Sequence, residues 1–203
     1  MQLEMLKYEL EGVSEWMHIV GDNAFVDIGE GWKFYKEVLE SNLKNRNVAV
    51  QAGGYCGIFP RCLANMFQRV YTFEPDPVNF FCLTNNTKVG NVIKFQAAVG
   101  EKKELISVNR VHPNNAGMNR VEPNSNGIIP TLRIDDLGLE TCDLIMLDIE
   151  GYEIKALKGA IYTIETYQPL ISVEDTNSQI EDFLKIRGYR EVTKVFRDTY
   201  YAV

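Results

Sequence analysis

The sequence predicts an α/β fold: a doubly wound, mostly parallel sheet covered by helices on both faces. Three observations predict it. From Val48 onward, short apolar runs alternate with segments of helical period, which is the pattern of a chain passing repeatedly from strand to covering helix. The first of these strands ends in the glycine-rich turn QAGGYCG, and the second ends in a carboxylate, Glu74. A strand, a tight turn, a helix and a second strand closing on an acid is the local unit with which many such sheets hold an adenosine-containing cofactor.

Taken in order, residues 1–46 lack the regularity of the rest and are expected to form an N-terminal helical cap or extension on a main domain of residues 47–203. Leu3, Leu6 and Leu10 suggest a short amphipathic piece, and Trp32 to Leu43 has helical spacing through Phe34, Val38 and Leu39. Strands are predicted at 47–51, 70–74, 92–98, 143–149 and 169–174, all parallel, with further runs at 189–195 and 198–203 that suit a hairpin. Helices fall between them at 57–67, 77–89, 152–165 and 178–187. Asp76 before Pro77 reads as an N-cap with proline in the first turn, and Ser178 with Glu181 matches a capping box. Ile154, Leu157, Ile161 and Ile164 make one helical face. Residues 109–129, rich in Asn, Pro and Gly without apolar period, are expected as a long substrate-binding loop or lid.

Composition narrows the function classes. Apolar residues make up 45 % and charged residues 24 %, enough apolar material for a folded core. A net charge of −7 gives no general attraction to phosphate backbones, so no nucleic-acid partner is expected. Cys56, Cys62, Cys82 and Cys142 show neither CxxC pairs nor histidines at zinc spacing, and read as buried thiols of a cytoplasmic protein. The N-terminal segment is interrupted by charge every few residues, which suits neither a signal peptide nor a membrane span.

The candidate site residues cluster at strand ends. Gly53, Gly54 and Gly57 let backbone pass close to a ligand at the start of a helix. Their spacing is equally compatible with a nicotinamide-dependent oxidoreductase, and with a tight turn of purely structural purpose. Glu74 can accept hydrogen bonds from two ribose hydroxyls. Ala97 and Ala98 would let a flat ring lie against backbone, with Gln96 nearby. The segment DLIMLDIEGYE puts Asp148, Glu150 and Glu153 at the end of the fourth strand, where a doubly wound sheet binds ligands. Strand alternation would give Asp148 and Glu150 one face, leaving Glu153 to the next helix. Asp148 and Glu150 are the candidate catalytic carboxylates, with His112 in the long loop as a further candidate base. Asp148 with Asp175 is the pair a divalent ion would use, but without matched ligand spacing no metal is expected. Asp135 and Asp136 are expected to cap a turn.

The ordered set QAGGYCG, YTFEPDPVNF, QAAVG, LRIDDL, LDIEGYE and PLISVE resembles the FkbM family of S-adenosylmethionine-dependent methyltransferases over residues 48–188, with FEPDP and LDIEGYE its specific segments. The resemblance implies a seven-stranded Rossmann-like class I methyltransferase sheet whose last strand is antiparallel. It also implies S-adenosyl-L-methionine as cofactor and methyl transfer to a hydroxyl of a carbohydrate or other small molecule. By the same resemblance Gly53 and Gly57 would border the methionine part of the cofactor, with Gly54 between them a further cofactor-binding candidate. Glu74, followed by Pro75, would bind the ribose, Ala97 and Ala98 would flank the adenine, and Asp148 would face the cofactor's amino end or the acceptor. Gln51 stands where the family usually has aspartate and supplies a hydrogen-bond acceptor without charge. That departure keeps a non-catalytic cofactor-binding or assembly module in view.

Overall fold

The computed structural model describes residues 2–22, 24–109, 116, 119–123 and 126–203. The chain opens with an antiparallel hairpin, β1 (Leu3–Leu10) and β2 (Val13–Ile19), where a helical cap was expected. A two-residue turn decides the matter. Glu11 (φ 50°) and Gly12 (φ 79°) both take the positive φ of a tight hairpin turn, and Leu6 then faces the buried Trp16 across the strands. Helix α1 (Ala24–Asn42) follows and buries Phe25, Trp32, Tyr35 and Leu39. Phe34, expected on the buried face, points outward beside Phe196.

The main body is then laid down as β3 (Val48–Ala52), α2 (Ile58–Leu63), β4 (Arg69–Phe73), α3 (Pro77–Asn86) and β5 (Val92–Phe95). Strands β6 (Ala98–Val99), β7 (Leu105–Asn109), β8 (Arg120–Pro123) and β9 (Ile129–Leu132) come next. They are followed by β10 (Leu144–Leu147), α4 (Glu153–Lys158), α5 (Ile161–Tyr167), β11 (Leu170–Glu174), α6 (Ser178–Lys185), β12 (Arg190–Val195) and β13 (Asp198–Ala202). Seven strands form one sheet in the order β12-β13-β11-β10-β3-β4-β5, with β13 antiparallel to both neighbours and the rest parallel. The strand order reverses between β3 and β10, so a crevice opens at their carboxyl ends. Strand alternation divides the core. Ala49, Val70, Leu144 and Met146 face one helical layer with α1 and α2, whereas Val50, Phe73, Ile145 and Leu147 face the other with α4 to α6. All four cysteines are buried free thiols. Among the described residues no helix is long and apolar enough to cross a membrane.

Three differences from the sequence expectations have tertiary causes. The run at 92–98 breaks after Phe95, and β6 joins β9, β7 and β8 in a separate four-stranded sheet. Within the expected loop 109–129, Arg120–Pro123 forms β8 because its backbone pairs with β7, from Ile106↔Pro123 to Asn109↔Arg120. The helix expected at 152–165 divides into α4 and α5 at Gly159, where a Cβ would lie 2.0 Å from the Gly100 carbonyl oxygen. Asp135, within a 3-10 turn at Ile134–Leu137, then caps the second piece: its oxygens accept from Tyr162 N (3.2 Å), Thr163 N (2.9 Å) and Thr163 Oγ1 (2.9 Å). The cap of α3 is Asp76 as expected, but that of α6 is Asn177, one residue before Ser178.

Replacing Asp135 by Ala should cost about 1 kcal/mol, the usual worth of a helix cap, and lower the thermal midpoint by a few degrees. Calorimetric unfolding of Asp135→Ala with an unchanged midpoint would show that α5 does not depend on this cap.

Candidate active site

The turn after β3 is shaped by one close approach. Gly53 takes φ +89°, and a Cβ there would lie 1.8 Å from the Asp148 carbonyl oxygen. The amide of Asp148 in turn donates to Ala52 O at 3.1 Å. With β3 and β10 locked together in this way, Gly53 N and Gly54 N donate to Phe73 O at 3.1 and 2.9 Å. The turn is thereby folded over the end of β4. Gly54 has no room for a side chain either: its Cβ would meet Leu83 Cδ1 at 2.3 Å. Gly57 (φ +95°) lines neither cavity described below, and a Cβ there would lie 3.1 Å from Leu83 Cα, so its bare backbone lets α2 pack on α3.

Gln51 is fully buried beneath the turn, where it accepts from Thr72 Oγ1 at 2.6 Å and donates through Nε2 to Gly53 O at 2.8 Å. It lines neither cavity described below, and its two hydrogen bonds brace the turn. Glu74 is held from behind. Its Oε2 accepts from Tyr55 N (2.7 Å) and its Oε1 from Asp76 N (2.8 Å), leaving the second lone pair of each oxygen free of those bonds. Burial pushes its pKa up to about 8 despite the two amides, which pull it down.

Two cavities meet at Gly53, Glu74, Asp148 and Glu150. The first is a narrow slot walled by Phe73, Pro75, Ala97, Ala98, Val99 and Tyr152. Gln96 is exposed and takes no part in it. The second is a cleft of about 580 Å³ between the glycine turn, the start of α1 and the β12–β13 turn, with Tyr35, Tyr55, Phe59 and Phe196 as its aromatic walls. Six carboxylates line it, Asp27, Glu74, Asp148, Glu150, Glu174 and Asp198, against a single cation among the described residues, Arg197.

The acids at the sheet ends are coupled. Oxygens of Asp148, Glu150 and Glu174 lie within 4.8 Å of one another, a spacing satisfied by a shared proton or by a bridging cation. Burial, then the hydrogen bond and charge of Glu174, holds the Asp148 carboxyl well above the usual carboxylate range. Glu150 sits in a turn at φ 53°, outside β10, so its position beside Asp148 comes from that turn and not from strand alternation. Burial and Glu174 raise its pKa, while Arg197 and Arg120 oppose them. Arg197 pairs with Glu174 at 3.1 Å and with Asp175. Asp175 is thus turned outward into that ion pair, away from Asp148. Asp198 accepts from Tyr35 Oη (3.0 Å) and Ser172 Oγ (3.2 Å), and burial brings its pKa up to about 7.

Of the other expected residues, Glu153 is buried at the start of α4 and accepts from Ile149 N and Gly151 N, both at 3.1 Å, so it shapes the loop that carries Glu150. His112 lies outside the described residues. Glu174, Asp198, Tyr35 and Phe196 were missed. For Glu174 the signal was present, an acid ending the apolar run PLISVE; for the others the sequence carries none.

A sequence model of the family described as "Methyltransferase FkbM domain" matches residues 59–191. No curated protein matches the chain. Among solved structures, a methyltransferase FkbM from Methylobacillus flagellatus KT superposes with a TM-score of 0.52 at 21 % identity, covering 78 % of this chain and 44 % of that one. The chain therefore spans under half the length of that protein. A tRNA (uracil-54, C5)-methyltransferase of Pyrococcus abyssi, solved with S-adenosyl-L-homocysteine, gives a TM-score of 0.52 at 12 % identity, covering 98 % of this chain and 44 % of that one. At these identities the two structures are evidence of a common fold.

Glu74 and Asp198 have folded pKa values, about 8 and about 7, above the ordinary 4.5 and 3.8. Their contribution to stability is therefore full below the ordinary carboxylate range and lost as pH rises through 7 to 8. The thermal midpoint of the ligand-free protein should fall between about pH 5 and pH 9, and Asp198→Asn should flatten part of that fall. A midpoint that rises across the interval contradicts this assignment.

Proposed function

The chain belongs to the FkbM methyltransferase family, and on that premise we propose that it moves a methyl group from S-adenosylmethionine to a hydroxyl oxygen of a carbohydrate or similar small polyhydroxylated acceptor. The observation that carries this reading is the meeting of slot and cleft at a buried acid. Glu74 faces both cavities with one lone pair per oxygen outside its backbone hydrogen bonds, as an acceptor of two ribose hydroxyls would. The slot between Pro75 and Ala97 to Val99 suits a flat base, and Gly53 and Gly54 bring bare backbone to the junction. The residues present therefore fit the cofactor.

Bound S-adenosylmethionine supplies an activated methyl group on a sulfonium. The chain's part is to hold the acceptor oxygen in line and remove its proton as the oxygen–carbon bond forms and the carbon–sulfur pair returns to sulfur. The clustered carboxylates of Asp148 and Glu174, with Glu150 beside them, are placed to receive the hydroxyl proton, and the pKa of Asp148 is held above the usual carboxylate range. Tyr35, Phe59 and Phe196 offer flat apolar faces to the C–H side of a sugar ring. The acids of the cleft favour a neutral or cationic acceptor. They disfavour a polyanion, which separates this reading from the RNA chemistry of other proteins built on the same sheet.

Methyl transfer is to be measured with radiolabelled cofactor across neutral, amino and phosphorylated sugars. Neutral or amino acceptors should be labelled, at a rate that rises with pH as Asp148 gives up its proton. Glu174→Gln should lower kcat by roughly 10²-fold, within the range of general-base catalysis, with S-adenosylhomocysteine binding retained, whereas Glu74→Ala should lose binding. Labelling of RNA or phosphosugars alone would overturn the acceptor class, and wild-type activity in Glu174→Gln would remove the base.

A further inference from the structure

Two carboxamides that line the slot carry buried oxygens with no hydrogen-bond partner among the described residues. Asn79, in the first turn of α3 and only 2 % exposed, donates through Nδ2 to the Ala116 carbonyl at 2.9 Å, and its buried Oδ1 has no partner among the described residues. Asn119, just before β8, donates through Nδ2 to Asp76 Oδ2 at 3.3 Å, and its buried Oδ1 is likewise unpartnered. Both residues line the slot. Neither amide is free to turn over, because the exchange would aim an oxygen at a carbonyl in one case and at a carboxylate in the other. A buried acceptor without a donor is unfavourable, so two of them in one apolar slot call for a ligand that brings hydrogen-bond donors.

Resting on the cofactor reading above, we propose that Asn79 and Asn119 are the residues that select the base, reading the exocyclic 6-amino group of adenine. That group carries two N–H donors, one for each unpaired oxygen. A purine with a 6-oxo group presents an acceptor in the same place. With its donor moved to N1–H, it can pair at most one carboxamide and sets oxygen against oxygen at the other, so it is disfavoured. The pinned amide of Asn79 also favours the charged form of Glu74, which links base recognition to the ribose-binding acid.

Calorimetric titration with S-adenosylhomocysteine and S-inosylhomocysteine tests this, since the two ligands differ only on that edge of the base, the 6-amino group giving way to a 6-oxo group with a proton on N1. The wild type should bind the adenosine compound at least roughly 10-fold tighter, as expected when buried acceptors are left unpaired. Asn79→Ala and Asn119→Ala should each narrow the ratio, the second at a partly exposed position where folding is not at stake. Equal binding of both ligands by the wild type overturns the assignment while leaving the cofactor reading intact. So does an unchanged ratio in both variants. No binding of S-adenosylhomocysteine removes the cofactor reading and this inference with it.

Discussion

The site depends on one backbone contact, the approach of Gly53 to the carbonyl of Asp148. Bare backbone there lets the end of β3 and the end of β10 lie against each other at the point where the strand order reverses. The same turn then takes the Phe73 carbonyl through two amides, aims Tyr55 N at Glu74 and leaves the crevice open above. Any side chain at Gly53 would collide with a main-chain atom that cannot swing aside, so the acid Asp148, the acid Glu74 and the turn itself would all be displaced together. Gln51 belongs to this device. Its two hydrogen bonds hold the Gly53 carbonyl from below, which gives a neutral side chain a clear purpose at a strand end where charge was expected.

Around that contact the protein tolerates an unusual concentration of carboxylates by three different means. Glu74 is stabilised by backbone amides, Glu174 by Arg197, and Asp148 by a pKa that burial and the neighbouring Glu174 hold well above the usual carboxylate range. Burial raises the pKa of Glu74, Asp148 and Asp198, and brings Glu74 to about 8 and Asp198 to about 7. The same desolvation that costs folding stability at high pH makes a carboxylate basic enough to accept a hydroxyl proton, so the electrostatic strain of the cleft and its proposed chemistry have one origin.

The β12–β13 hairpin extends the cleft from the far side of the sheet. Its two-residue turn, Phe196 and Arg197, follows the last residue of one strand and precedes Asp198 at the start of the next. Three consecutive residues thus contribute an aromatic wall, the only cation of the cleft among the described residues, and a buried acid. Tyr35 from α1 closes the arrangement by donating to Asp198, which ties the N-terminal segment to the sheet end it covers.

What the sequence determined by itself was local: the alternation of strands and helices, the glycine turn, the Asp76 cap, and the acids at 74, 148 and 150, because periodicity, φ demands and capping are properties of neighbouring residues. The hairpin at residues 3–19 escaped because a helical spacing of leucines outweighed a two-residue turn in the reading, and β8 escaped because strand pairing is made by backbone whatever the side chains. Tertiary structure alone decided that Glu174 and not Asp175 joins Asp148, that Asp198 and Tyr35 reach the cleft from opposite ends of the chain, and that Asn79 and Asn119 converge on one slot. Those relations join residues far apart in sequence through strand order and burial, and neither is written in any one segment.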